Sequence, residues 1–471
     1  MGSNFQGFRG IAADSREVKP GFLFAALPGT KTNGARFIGE AVKRGATAVL
    51  GAPEAAAEAR AAGVRFISDS NPRLRLAHLA AEFYAVQPAT IAAVTGTNGK
   101  TSVASFLRQI WTALGRPASS LGTLGIDGPS SHVPLSHTTP DPVELHAALA
   151  RLAKEGVTCL AMEASSHGLD QFRLDGVRIA AAGFTNITRD HMDYHGGFSH
   201  YLAAKLRLFE ALVRDGGVAV VNADAEHAEN FIAAATRRGL KLLTVGERGD
   251  ALRLVSRILH ADGQEMTIRH DGHDYAIRLP LAGLFQASNA LVAAGLAIGL
   301  GDAPAKIFAA LEKLKGAPGR LELVARAGNG AAIYVDYAHT PDAIETVLSA
   351  LRPHVAGRLH IVFGAGGDRD RGKRPLMAAA AARLADVVIV TDDNPRSEVP
   401  ADIRREVLAG APAAREIGDR AEAIREAVAG LKEGDALVIA GKGHEEGQIV
   451  GGETRPFSDR AEAIKAAGGA A

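Results

Sequence analysis

Residues 96 to 101, Gly96-Thr97-Asn98-Gly99-Lys100-Thr101, have the composition of a phosphate-binding turn. In such a turn successive backbone N–H groups converge on one anion, and the dipole of the helix that follows adds positive potential. Lys100 supplies a mobile charge for outer phosphates, and the Thr101 hydroxyl can face a magnesium ion that those phosphates hold. The strict pattern G-x-x-x-x-G-K-[ST] asks for glycine at position 94, where this chain has Val94. The bland alternative is a Gly-Lys turn ahead of an ordinary helix. Agreement of strand, turn and amphipathic helix favours the phosphate loop.

Three further residues could work beside it. Glu163 ends the apolar run Cys159-Leu160-Ala161-Met162, which places a carboxylate at a strand C-terminus, the edge where open α/β sheets bind ligands. There it is either a magnesium ligand or a solvated strand-end acid. The next apolar run, Ile179 to Phe184, leads into Asn186-Ile187-Thr188-Arg189-Asp190-His191, so two successive strand ends carry Glu, His and Asp. Lys205 falls inside the stripe Tyr201, Leu202, Leu208, Phe209, Leu212. It either snorkels to water or is a desolvated amine whose neutral form is a nucleophile.

A second group lies near the C-terminus, in Gly364-Ala365-Gly366-Gly367-Asp368-Arg369, Asp392-Asp393-Asn394-Pro395-Arg396 and Gly441-Lys442-Gly443-His444-Glu445. Each follows an apolar run, so all three loops are expected on one sheet edge. Guanidinium groups and a carboxylate together suit a small zwitterion, since Arg grips a carboxylate bidentately and Glu answers an ammonium. Singly, each Arg reads as a solvated loop residue and Asn-Pro as a turn.

The elements that must hold these groups are legible as runs and periods. Ile91 to Val94 reads as a buried strand and Ser102 to Leu114 as a helix, stopped at Gly115. Phe22–Leu27 and Ala46–Leu50 read as strands, with helices over Ile38–Arg44 and Leu74–Phe83, and Asp14-Ser15-Arg16 precedes the first strand. A helix is expected over Tyr201–Leu212, and strands are expected to alternate with helices to about residue 316, as a largely parallel sheet requires. Further strands are expected at Ile333–Asp336, Leu359–Phe363, Val387–Thr391 and Ala436–Ala440. Breaks near Gln87-Pro88 and Ala317-Pro318-Gly319 divide the 471 residues into 1–86, 87–316 and 317–471. The class is α/β: three α/β domains, a central P-loop ATPase-like parallel sheet and a C-terminal Rossmann-like domain.

Composition sets bounds. Apolar residues at 47% suffice for real cores, and a net charge of +1 offers no electrostatic footprint for nucleic acid. The single cysteine, Cys159, sits in an apolar run and reads as a buried thiol in a reducing compartment. No uninterrupted apolar run approaches the ~18 residues of a membrane span. A cytoplasmic monomer without membrane or nucleic-acid partners is expected.

The string T-G-T-N-G-K-T resembles the ATP loop of the Mur ligases and folylpolyglutamate synthetases, which couple ATP hydrolysis to amide bond formation. The likeness to the Mur ligase family extends over nearly the whole chain. It includes D-S-R with G-x-x-F-x-A-x-P-G, His137-Thr138-Thr139-Pro140, M-E-A-S-S-H-G-L, Gln171-Phe172-Arg173, N-I-T-R-D-H-M-D-Y-H, Y-x-x-A-K-x-x-L-F and D-N-P-R. The resemblance implies a UDP-binding N-terminal domain, a central ATP-binding domain and a C-terminal amino-acid-binding domain.

Carried over by position, it gives ATP to Gly96, Thr97, Asn98, Gly99, Lys100, Thr101, Ser102, Asn289, Arg320 and Asp336. UDP-N-acetylmuramoyl dipeptide falls to Ser15, Thr138, Thr139, Ser165, Gln171 and Arg173. Two magnesium sites fall to Thr101, Glu163, His191 and Lys205, the lysine carbamylated by carbon dioxide, with Lys100, Glu163, His191 and Lys205 as the catalytic group. D-N-P-R is similar to the branch of the family that adds meso-diaminopimelate, which assigns that amino acid to Arg369, Asp393, Asn394, Pro395, Arg396, Gly441 and Glu445. Arg396 pairs with the distal carboxylate that lysine lacks. The chain departs from the usual family residues at Ala35, His137 and Gln286. A switch or transport ATPase, the reading from another class, leaves the three C-terminal loops and the inward Lys205 unexplained.

Overall fold

The computed structural model describes residues 7–29, 32–129 and 132–469. The chain folds into two compact units, Met1–Val245 with Gly295–Asp302, and Gly246–Ala294 with Ala303–Ala471. Among the described residues no helix is long and apolar enough to cross a membrane.

In the first unit, strands Gly10–Ala12, Phe22–Ala26, Ala48–Gly51 and Arg65–Ser68 pair in that order, all parallel. Gly10–Ala12 precedes Asp14-Ser15-Arg16, which corrects the expectation that this triplet lies ahead of the first strand. Three residues with no apolar alternation give little sequence signal. Asp14 caps the short 3-10 turn Ser15–Glu17 by accepting from the Arg16 N–H.

A larger sheet follows, with parallel strands ordered Lys241–Gly246, Val213–Asn222, Ile179–Phe184, Thr90–Thr95, Cys159–Glu163, Ala118–Gly122. Thr90–Thr95 lies at its centre, between the two strands that end at Phe184 and Glu163. Its residues Ile91 to Val94 are fully buried because helices cover both faces of a parallel sheet. In register, Val94 faces Glu163 and Thr95 faces Phe184, so the phosphate-loop turn, Glu163 and Asn186 leave the sheet at one edge. Helix Lys100–Ala113 packs Val103, Phe106, Leu107 and Ile110 inward, all four fully buried. The expected helix Tyr201–Leu212 is an α-helix over Phe198–Arg207 that widens into a π turn over Leu208–Leu212.

The second unit corrects another expectation. Strands do not simply alternate with helices up to residue 316, because Leu252–His260, Gly263–His270 and His273–Leu279 form an antiparallel meander. The signal was present in the Asp271-Gly272 turn, which favours a hairpin. A six-stranded sheet runs Glu322–Arg326, Ala332–Asp336, Ala436–Ala440, Leu359–Phe363, Val387–Val390, Arg415–Glu416, parallel except at its first pair. Alternate residues of one strand enter different cores, Ile333 and Val335 on one face and Ala332 and Tyr334 on the other. That period of two, with both faces covered, is the doubly wound arrangement. Gly447–Val450 and Glu453–Pro456 add a hairpin.

Candidate active site

The turn after Thr95 is shaped by what it must pass. A Cβ on Gly96 would lie 1.9 Å from Thr185 Oγ1, so only glycine fits there. The Thr97 N–H donates to Asn186 O at 2.8 Å and the Asn98 N–H to Asn186 Oδ1 at 2.9 Å. The Thr185 hydroxyl donates to Asn98 O at 2.6 Å, so the neighbouring strand end clamps the loop. Lys100 Nζ folds back onto Gly96 O and Thr97 O, at 2.9 and 2.8 Å. Thr101 and Ser102 are buried in the first helical turn.

Glu163 is 2% exposed, and its carboxylate is held by hydroxyls and a backbone N–H. Thr101 Oγ1 donates to its two oxygens at 3.0 and 3.1 Å, the Thr123 N–H at 2.7 Å and the Thr123 hydroxyl at 3.2 Å. A Cβ on Gly122 would sit 2.1 Å from Glu163 Oε1, which is why glycine precedes Thr123. The donors are hard oxygens at a phosphate-binding turn. Among the described residues no three or more His, Cys, Asp or Glu side chains gather into a metal cage. The oxygen donors at the phosphate turn fit magnesium, which binds through one or two carboxylates, water and substrate phosphates.

From Glu163 a chain of hydrogen bonds runs outward through residues assigned to the nucleotide dipeptide. The Thr138 and Thr123 hydroxyls are 3.0 Å apart, and Thr139 Oγ1 donates to Glu163 O at 3.1 Å. The Ser165 hydroxyl donates to Thr139 Oγ1 at 3.0 Å and accepts from the Gly168 N–H at 3.0 Å, capping helix Ser166–Asp170. Arg173 donates to Thr139 O at 2.7 Å and to Gln171 Oε1 at 2.9 Å. Ser15 is not part of this chain, its hydroxyl bonding Glu40 at 3.2 Å. Exposed His137 bonds its neighbour Ser136, and Ala35 lies inside a short turn capped by Asn33.

Lys205 is 1% exposed, so the snorkelling reading fails. Its Nζ donates to Gly96 O at 2.7 Å and lies 4.6 Å from the centre of the Tyr201 ring, whose hydroxyl is 2.9 Å from Thr97 Oγ1. Burial, and then the nearby Lys100 charge, hold the Lys205 amine well below its ordinary pKa. His191 starts the short helix Met192–His195 with a left-handed φ of +52° and is half-exposed. Its neighbours are Asp190, 3.5 Å from Nε2, and the His167 ring, whose centre is 4.8 Å away. Its hydrogen bonds and ring contacts do not include Glu163 or Lys205.

In the second unit Asn289 Nδ2 lies 3.4 Å from Gln286 Oε1, and Gln286 Nε2 donates to Arg320 O at 3.2 Å. The Arg320 guanidinium lies 5.0 Å from the Tyr337 ring centre. Asp336 accepts N–H donors from Leu321 and Ala338, at 2.6 and 2.8 Å, and burial pushes its carboxyl up against the pull of Arg320. The strands before the three Gly-rich loops are adjacent and parallel, so those loops share one edge.

There Asn394 Nδ2 donates to Glu445 Oε2 at 3.0 Å, and Gln448 donates to Asp393 O at 2.8 Å. Arg396, at φ +52°, donates from Nη1 to Gly367 O at 2.9 Å. A Cβ on Gly366 would meet Arg396 Nη1 at 2.8 Å and Arg369 Cγ at 3.8 Å, so both arginines border that glycine. A Cβ on Gly441 would lie 2.5 Å from Asp393 Oδ2, and Pro395 O closes on Gly367.

Sequence reasoning passed over three contributors: Thr123, Tyr201 and Lys442. The Gly-Thr pair at 122–123 and the lysine between glycines at 441–443 were the signals that could have found two of them.

Three family models match consecutive stretches: "Mur ligase family, catalytic domain" over residues 7–84, "Mur ligase middle domain" over 94–297 and "Mur ligase, glutamate ligase domain" over 319–443. The chain is 58% identical over 464 residues to a Bradyrhizobium diazoefficiens UDP-N-acetylmuramoyl-L-alanyl-D-glutamate--2,6-diaminopimelate ligase, covering 97% of this chain and 94% of the relative. A Caulobacter vibrioides protein of the same name is 56% identical, with 97% and 95% covered. A solved structure of a ligase so named superposes with a TM-score of 0.73 at 36% identity, covering 98% of this chain and 95% of the other.

Proposed function

This chain belongs to the Mur ligase family, and on that footing we propose that it is the ATP-dependent ligase that joins meso-2,6-diaminopimelate to UDP-N-acetylmuramoyl-L-alanyl-D-glutamate. The product is a peptidoglycan precursor, and the cytoplasm is the compartment of its nucleotide substrates. A carboxylate of the dipeptide's glutamate attacks the γ-phosphorus of ATP, the bond to ADP breaks, and an acyl phosphate forms. The diaminopimelate amine then attacks the acyl carbon, phosphate leaves, and the nitrogen loses a proton.

Lys100 and the backbone N–H groups of residues 99–101, at the start of the helix, hold the phosphates and offset the charge that develops on them. Thr101 and Glu163 would hold magnesium, which would supply further stabilisation of the charge on the phosphates. Supporting a carbamate on Lys205 is the environment of its amine. The buried nitrogen disfavours the ammonium, and joining it to carbon dioxide with loss of a proton reverses the sign beside Lys100. A carbamate there would offer oxygens to a second magnesium, for which His191 would be a further ligand.

The observation that carries the choice of amino acid is the loop Asp393-Asn394-Pro395-Arg396, set on one edge with Gly441 and Glu445. Glu445 suits the ammonium of a zwitterion, while Arg396 and Arg369 suit carboxylates. Lysine in that place leaves a guanidinium without its anion, a repulsive element in the specificity. The test supplies ATP and the nucleotide dipeptide with either diaminopimelate or lysine and follows phosphate release. Release with diaminopimelate is expected, and release with lysine alone would overturn the assignment.

A further inference from the structure

Lys442 is fully buried, yet it has no part in the assignment above. It lies in the turn after strand Ala436–Ala440, closed by the Glu445 N–H donating to Lys442 O at 3.0 Å. Its Nζ donates to Asn394 Oδ1 at 3.0 Å and to Glu445 Oε2 at 3.1 Å. Both acceptors belong to residues placed in the amino-acid pocket.

An Asn amide can sit either way round, and its partners decide which. Here the Asn394 oxygen receives two donors, Lys442 Nζ and the Ile449 N–H at 2.9 Å. The Asn394 NH2 must therefore face Glu445, where it donates to Oε2 at 3.0 Å. Glu445 Oε2 is thus engaged twice, by Asn394 and by Lys442. Remove the cation, and two things change together. The amide loses one of the donors that set its orientation, and the carboxylate loses its buried positive partner.

We propose that Lys442 is a positioning residue for the amino-acid substrate: through its paired contacts with Asn394 and Glu445 it orients the amide and fixes the carboxylate that meets the substrate ammonium. This rests on the reading of the Asp393–Arg396 loop as the diaminopimelate site. A lysine that merely stabilised the fold would affect all three substrates alike. One that sets this pocket acts on diaminopimelate alone.

The test is steady-state kinetics on the full chain carrying Lys442→Met, which keeps length and removes charge. KM for diaminopimelate is expected to rise by about 10-fold or more, the scale for leaving a part-buried hydrogen-bonded group without its partner. KM for ATP and for the nucleotide dipeptide should stay put. Lys442→Gln, which keeps a donor for Asn394, should fall between the two, and it decides the matter if the Met variant does not fold. In a Glu445→Gln background, Lys442→Met should add far less than it does alone. Additive losses, or equal losses for all three substrates, would overturn the proposal. A wild-type enzyme inactive with diaminopimelate would instead overturn the function on which it rests.

Discussion

Lys205 shows how a single side chain changes meaning with depth. Its position in an apolar stripe suits a snorkelling lysine as well as a reactive one, but at 1% exposure its head cannot reach water. With Gly96 O at 2.7 Å and the Lys100 charge nearby, the environment favours the neutral amine that carbon dioxide requires. Lys205→Ala is therefore expected to lose activity by orders of magnitude, and millimolar acetate should restore part of it by placing a carboxylate in the vacated space. Full activity in the plain variant, read by phosphate release, would remove the carbamate from the mechanism. Glu163 differs in kind, because its strand-end position was visible in sequence. Its two threonine partners, 62 and 40 residues away, were not.

At the scale of elements, helix Pro142–Lys154 carries a titratable group in its buried face. His146 is 1% exposed, its Nε2 lies 3.2 Å from Asp175 O, and burial lowers its pKa to about 4. The folded state keeps this ring neutral, whereas an unfolded chain protonates it near pH 6.5. The unfolded state therefore binds more protons between pH 6.5 and 4, so the contribution is complete above 6.5 and lost as pH falls toward 4. It amounts to about 3 kcal/mol at most. Denaturant unfolding of wild type and His146→Leu should show a pH-dependent difference confined to that window. A difference independent of pH would mean the ring is not buried neutral. Nothing in the sequence of this helix pointed to it, since a histidine among apolar residues shows its type but not its burial.

For the molecule as a whole, a ligand held by the folded state must stabilise it. At about 100 times its Kd, ATP with magnesium should add ~2.7 kcal/mol and raise the thermal midpoint by several degrees. Lys100→Met should lose most of that shift, and an unchanged shift would move the nucleotide elsewhere. The chain's composition and contiguous strings were enough to establish an α/β architecture, the phosphate turn, the strand-end Glu163 and the order of the three Gly-rich loops. Each depends on neighbours in sequence: an apolar run bounded by glycine, a helix by its period, a motif by its spacing. Tertiary structure alone decided the burial of Lys205, the clamp of Asn186 on the loop and the turning of Asn394 by Lys442. Those depend on residues from 48 to 109 positions apart. A local pattern says that a side chain is apolar or charged, and only packing says what lies against it.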